Sequence, residues 1–390
     1  MKLVMQHPSR SALTLAVSAI LATSMLASCA KTEETAETET VEVDTPSDAV
    51  VEEANIDTPA EQVAEATDAD PFATAYDTVT VYSSRNEQLI QPLLDQFTAT
   101  TGTPVELITD KEGPLMERMK AEGANSPADM FLTVDAGNLW QAGEQGLLQP
   151  LGSSLVNNNV PAKYRSADDL WTGLSLRART IFYDPNDVSP SDLSTYADLA
   201  DPKWKGKLCL RTSKKVYNQS LVSSMIEHYG AEKTEEIVKG WVANLAAPVF
   251  SNDTKMLEAI ASGQCDVGIA NSYYYGRILE ENPDFSVKIF WANQGEGAEA
   301  TGTHVNVSGA GIVKTSDNVA GARQLIEWLS SEQAQEEYAS GDKEYPVKEG
   351  VDESVMLRSW GPFKQDDINV TVFGQRQAEA TQLMDRAGYE

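Results

Sequence analysis

Histidine and cysteine are scarce, with three of each in 390 residues, and no C-x-x-C pair or H-E-x-x-H run occurs. Past the first 30 residues only His228, His304, Cys209 and Cys265 remain. A conventional zinc site therefore has almost no ligands to draw on. Basic residues are also few: 30 Lys and Arg face 59 Asp and Glu, a net charge of −29. So acidic a surface argues against nucleic acid or anionic lipid as partners. There is no Ser-His-Asp motif, no Gly-rich phosphate loop and no paired-carboxylate signature, so catalysis is not expected. No internal repeat is evident.

Long apolar runs are missing as well. The N-terminal one, Ser11 to Met25, follows Lys2 and Arg10 and is too short for a permanent membrane span, though it suits a secretory leader. It ends in Leu26-Ala27-Ser28-Cys29, which resembles the lipobox of bacterial lipoprotein signals. That pattern makes residues 1–29 a signal peptide with Cys29 as the lipidation site. Residues 31–70 then carry 14 acidic residues against one Lys, with no aromatic residue. Such a segment buries too little apolar surface to offset the entropy of ordering it, so residues 30–76 are expected to form a disordered acidic tether. As a flexible chain it would reach ~35 Å from the membrane. The expected location is the periplasm or cell envelope, with membrane contact only through the lipid.

About 320 residues remain, enough for a two-lobed protein. Thr78 to Tyr82 is a β-branched run, followed by Leu89, Ile90, Leu93, Leu94 and Phe97 at helical spacing. Pro92 implies a late helix start or a kink there. Strands at Pro104–Ile108 and Met130–Val134 alternate with helices marked by Leu115, Met116 and Met119, then by Leu139, Trp140 and Ala142. Three β-α units in about 70 residues point to a mostly parallel sheet covered by helices. The rhythm lapses after Pro150. It resumes with a strand at Lys207–Arg211, a helix over Tyr217–Tyr229, a helix through Met256–Ala261 and a strand at Cys265–Ala270. A further strand at Val305–Val313 and one long helix over Val319–Tyr338 complete the pattern. In such a layout ligands sit at the carboxyl ends of strands.

Two places concentrate oxygen donors. Tyr273-Tyr274-Tyr275 follows a strand directly, and three consecutive tyrosines cannot all enter one core face. Lys214 to Gln219, which includes Tyr217, is a polar turn opening a helix. Phenolate is a hard anionic ligand, but a free phenol has a pKa of ~10, so only a strongly charged cation such as ferric iron displaces its proton at neutral pH. Taken alone, a tyrosine triplet is more often explained by sugar stacking or interface packing. Cys209 and Cys265, an even pair in an exported chain, are either one disulfide or two buried thiols.

From about Val79 onward the chain resembles the ferric-iron-binding proteins of ABC importers, within the type II periplasmic binding proteins. The resemblance rests on Val81-Tyr-Ser-Ser-Arg85, Glu122 to Asp129, Leu132-Thr-Val-Asp135, Tyr196 to Gly206, Val216-Tyr-Asn-Gln-Ser220, Asn271-Ser-Tyr-Tyr-Tyr275, Gly302 to Gly309 and Glu344-Tyr-Pro-Val347. It implies an α/β, two-lobed Venus-flytrap fold, with lobe 1 at 77–178 and 305–354 and lobe 2 at 179–304 and 355–390. It also implies a monomer that carries Fe3+ as transported ligand to an inner-membrane ABC permease. A sugar, polyamine or oxyanion is the alternative solute.

The implied iron ligands are Tyr217, Tyr273 and Tyr274. Relatives carry His-Tyr after Y-S-S-R, where this chain has Asn86-Glu87. Glu87 is then the implied fourth ligand and Asn86 a hydrogen-bonding neighbour, while the other reading of Glu87 is an exposed helix-start residue. Arg177 matches a charge-compensating arginine, with Arg85 and Arg277 as weaker candidates. Asp135 faces the cleft or caps a helix, and His304 is structural.

Overall fold

The computed structural model describes residues 70–390. The expected leader, Cys29 and the acidic tether up to residue 69 lie outside the described residues.

Strand β1 (Val79–Ser83) is buried along its whole length, which its unbroken β-branched and apolar sequence suits. Helix α1 (Glu87–Thr101) starts where the Asn86 side chain accepts from the Gln88 N–H, and it ends at Gly102 in the left-handed region. Pro92 sits inside α1 on its exposed side, and the helix continues through it to bury Leu93, Leu94 and Phe97. Strand β2 (Val105–Thr109) and strand β3 (Met130–Thr133) flank β1 in parallel, separated in sequence by helix α2 (Glu112–Glu122). Helix α3 (Ala136–Glu144), strand β4 (Leu148–Gln149) and helix α4 (Ser154–Asn159) follow.

Strand β5 (Thr172–Tyr183) is buried at all 12 positions, and the sequence reading passed over it. Gly173, Ser175, Arg177 and Arg179 alternate with Leu174, Leu176 and Ala178, the pattern of a strand with one solvated face, yet both faces are buried. It is nonetheless the strand that joins the two halves of the molecule. Its first part pairs antiparallel with strand β9 (Val305–Val313). Its second part pairs with strand β7 (Val267–Asn271) and strand β8 (Lys288–Phe290). Strand β6 (Leu208–Cys209) adds in parallel beyond β7. The sheet order among the described residues is β2-β1-β3-β9-β5-β7-β6, with β4 on β9 and β8 on β5.

Helix α5 (Val216–Tyr229), helix α6 (Ala231–Ala243) and helix α7 (Asp253–Ala261) cover the second half, and helix α8 (Ser272–Glu281) leaves β7 without an intervening loop. The expected long helix after β9 is two: helix α9 (Val319–Leu329) and helix α10 (Glu332–Ser340). Ser331 breaks it by turning its hydroxyl to the Ala334 N–H as a new N-cap, although the apolar spacing runs on across the break. Helix α11 (Val355–Ser359) is short, and helix α12 (Val372–Arg386) packs on both α3 and α5. Gly374 permits that approach, since a Cβ there would stand 2.6 Å from the Trp140 ring.

Two lobes follow from where the apolar residues gather. One core takes residues from Val79 to Ala178 and Val305 to Leu357, with Val370 and Phe373 from the last segment. The other lobe holds two clusters drawn from Ile181 to Ala292, one of them closed by Ala380 to Tyr389 of the C-terminus. Within it Cys209 and Cys265 form a disulfide, their Cα atoms 5.9 Å apart, linking β6 to the turn that enters β7.

Candidate metal centre

Tyr217 is the second residue of α5, and Tyr273 and Tyr274 are the second and third of α8. Both helices start at the cleft ends of their strands, as a ligand site in an α/β sheet requires. Successive helical residues are turned by about 100°, so the tyrosine triplet must split. Tyr275 points into the core against Phe182, Phe285 and Trp360, with ring centroids 5.3, 6.4 and 5.6 Å away. Tyr273 and Tyr274 turn to the cleft with their rings 4.4 Å apart, and the Tyr273 hydroxyl donates to that of Tyr217 at 3.1 Å. The three phenols share a cavity of about 220 Å3 with Ser84, Asn86, Glu112, Arg177, Lys215 and Arg277.

Cations surround the phenols. The Arg177 guanidinium lies 5.2 Å from the Tyr217 ring, Arg211 lies 5.3 Å and the Lys215 ammonium 5.0 Å from it. Arg277 stands 4.8 Å from the Tyr273 ring, and Arg211 also donates to the Tyr274 hydroxyl at 3.4 Å. Burial pushes the Tyr217 phenol up to about 12, with the neighbouring Tyr274 adding to the rise and Arg177 and Arg211 offsetting part of it. Burial and the adjacent phenols hold Tyr273 well above the ordinary value too. Tyr217 and Tyr273 are thus protonated at neutral pH, and the positive ring around them would favour phenolates wherever a cation displaced the protons.

The polar residues behind the cavity are largely paired with one another, although Arg85 Nε, Arg211 Nε, Asp253 Oδ1 and His304 Nδ1 have no hydrogen-bond partner among the described residues. Asp135 caps α3 through the Gly137 N–H at 2.8 Å and also accepts from Ser220 at 2.8 Å and Asn306 at 2.7 Å. Its ion pair with Arg177 is 3.7 Å long, so helix capping and site support occur together. Burial raises the Asp135 pKa above the usual carboxylate range, with Arg177 and the three hydrogen bonds opposing it. Asp253 pairs with Arg179 at 3.2 Å and Arg211 at 3.4 Å, which fixes Arg211 against the phenols. Arg85 is taken up by Asp342 and by Glu344 at 3.2 Å, so its charge is already balanced. His304 is buried against Phe373, and burial drives its pKa down to about 3.

Of the residues singled out in the sequence, Tyr217, Tyr273, Tyr274, Arg177, Asn86 and Arg277 line one cavity. Glu87 does not. It opens α1 as an exposed residue and borders the neighbouring open recess with Asp110 and Lys111. The sequence singled out neither Glu112 nor Arg211 as a site residue, and Lys215 only as part of the Lys214–Gln219 turn. Arg211 and Lys215 follow the end of β6, where the strand-end rule that singled out the tyrosines reaches them, whereas Glu112 reads in sequence as an ordinary acidic helix start. Among the described residues no group of three or more His, Cys, Asp and Glu is placed to hold a metal. A cation here would have to be held chiefly by phenolate.

Residues 82–336 match the family described as bacterial extracellular solute-binding protein. The chain is 46% identical to iron uptake protein A1 of Synechocystis over 318 residues, covering 80% of this chain and 87% of the relative. It is 48% identical to the solved Trichodesmium IdiA (FutA) in complex with iron and citrate ligands, with a TM-score of 0.76 over 80% of this chain and all of the other. For the apo ferric ion-binding protein A of Pasteurella haemolytica the identity is 40% and the TM-score 0.75, over 80% and 98% of the two chains.

Proposed function

The chain belongs to the bacterial extracellular solute-binding proteins, and we propose that it captures ferric iron between its lobes and hands it to the permease of an ABC importer. The observation that carries this is the convergence of Tyr217, Tyr273 and Tyr274 on one cavity ringed by Arg177, Arg211, Lys215 and Arg277. Each phenol that ligates gives its proton to solvent as its oxygen bonds the metal. Three phenolates neutralise a trivalent ion, and Arg177, seated by Asp135, offsets any further anionic ligand. Calcium and magnesium prefer carboxylates, carbonyls and water and would leave such phenols protonated.

Delivery requires two states. We assign residues 77–178 and 305–354 to one moving lobe and 179–304 and 355–390 to the other, hinged where β5 and β9 cross between them. The permease would recognise the iron-closed form, and opening would release the ion. A lipid on Cys29, with the acidic segment after it as a leash, would keep a monomeric receptor near the transporter in the cell envelope. Cys29→Ser should then release the protein from membranes into the soluble fraction, and a variant that stays membrane-bound removes the anchor from the account.

Equilibrium dialysis of the purified protein against ferric citrate, glucose, putrescine and phosphate tests the solute class. Saturation at one iron per chain is expected, with no uptake of the other solutes offered alone. Retention of sugar, polyamine or phosphate in place of iron would refute the assignment.

A further inference from the structure

Resting on that reading of the cavity, we infer that Glu112, in the first turn of α2, is the carboxylate with which the first lobe closes on the iron, and that Glu87 is not. Tyr217, Tyr273 and Tyr274 all belong to the lobe built on β6 and β7. An ion held by them alone would bind one lobe and give closure no free energy, since a ligand shifts a conformational equilibrium only through differential contacts. A donor from the other lobe is therefore required. That lobe brings Ser84, Arg85, Asn86, Leu89, Glu112, Val134 and Arg177 to the cavity, together with Glu344.

Only two of these are carboxylates, and one is already used. Glu344 pairs with Arg85 at 3.2 Å and accepts from the Ser175 hydroxyl. Burial alone would raise its pKa, but the charges of Arg85 and Arg177 outweigh burial and hold it below the usual carboxylate range. Glu112 is half-buried, and its side chain makes no hydrogen bond or ion pair among the described residues. It follows the cleft end of β2 as Asn86 follows that of β1, in the first turn of an 11-residue helix. A carboxylate is also the hard oxygen donor that suits ferric iron beside phenolates. With three phenolates it leaves the closed site at −1, which Arg177, Lys215 and Arg277 are placed to balance.

The test uses the full-length protein with Glu112→Gln and Glu87→Gln. Three readouts are followed on adding ferric citrate: the visible phenolate-to-iron band, affinity by chelator competition, and compaction by small-angle scattering. Glu112→Gln should weaken iron binding by more than about 100-fold, beyond the usual cost of an outer-shell residue. It should also shift the band to longer wavelength, because an iron that has lost a carboxylate donor is a better electron acceptor. Iron-dependent compaction should disappear. Glu87→Gln should match the wild type in all three. A Glu112→Gln protein with unmoved band and normal compaction overturns the inference, whether or not affinity falls, as does a Glu87→Gln protein that carries the losses. A wild type without any band defeats the iron assignment itself, which is a separate failure.

Discussion

The hydroxyl of Tyr273 donates to the hydroxyl of Tyr217 across 3.1 Å, tying the first turn of α8 to the first turn of α5. Burial raises the proton affinity of both, Tyr217 to about 12. Phenols with raised pKa values are fully protonated from acid to neutral pH, so iron must displace those protons and competes with them. The apparent affinity should therefore climb with pH between about 5 and 8 and fall in the reverse direction. Adding ferric iron to weakly buffered protein should release protons in step with binding. A pH-independent affinity would mean that the phenols are not ligands.

Tyr275 supplies the internal control. Its ring packs against Phe182 and Trp360 in the core, turned away from the cavity. Tyr275→Phe should leave the visible band and iron affinity near wild type. Tyr273→Phe and Tyr274→Phe should each weaken or shift the band and cost at least tenfold in affinity. Chelator competition on the three variants checks the order, and loss confined to Tyr275→Phe would contradict the assignment.

The Cys209–Cys265 disulfide closes a loop across 56 positions of sequence. Replacing both cysteines with alanine should lower stability by about 2–4 kcal/mol in denaturant unfolding. Iron affinity should change much less, because the tyrosine-bearing turns are also held by Asp253 and Asn218 through Arg179 and Arg211. An unchanged unfolding midpoint would show that the link carries no stability.

His304 sets an acid limit on the fold. Burial depresses its pKa to about 3, against an ordinary value of 6.5. As pH falls below about 6.5 the unfolded chain takes up a proton that the folded chain refuses, so stability is lost progressively toward pH 3. The opposite shift of His228, raised by its hydrogen bond to Asp366, adds stability at low pH and is lost as pH rises through its folded value. His304→Gln should flatten the fall in unfolding midpoint between pH 7 and pH 4. A pH profile as steep as the wild type's would exclude His304 as its source.

Most of the secondary structure was legible because it follows apolar spacing. The run Val305–Val313 reads as a strand and is one, and Tyr217–Tyr229 falls within α5 to a residue. β5 was passed over although Gly173 to Arg179 alternate polar and apolar, and what the sequence hid is that the polar face is buried: Arg177 faces Tyr217 and Asp135, and Arg179 faces Asn218 and Asp253. A buried charge that is paired looks, in one dimension, like a surface residue. The break at Ser331 was hidden for a related reason, since a single side-chain cap interrupts an apolar period without altering it. The tyrosines stood out by their type and their position after strands. Glu112 did not, because an acidic helix start is ordinary in a chain with 59 acidic residues, and only the fold shows that this one borders the phenols.

An absorption titration bears most directly on the iron site. Ferric citrate is added stepwise to the iron-free protein while the visible spectrum is recorded, with the Tyr217→Phe and Tyr273→Phe variants alongside. Three phenolates on one ferric ion predict a visible band that grows linearly and stops at one iron per chain. It should be diminished or shifted in both variants. A wild-type protein that stays colourless through the titration, or that colours equally with both tyrosines replaced, would contradict the account.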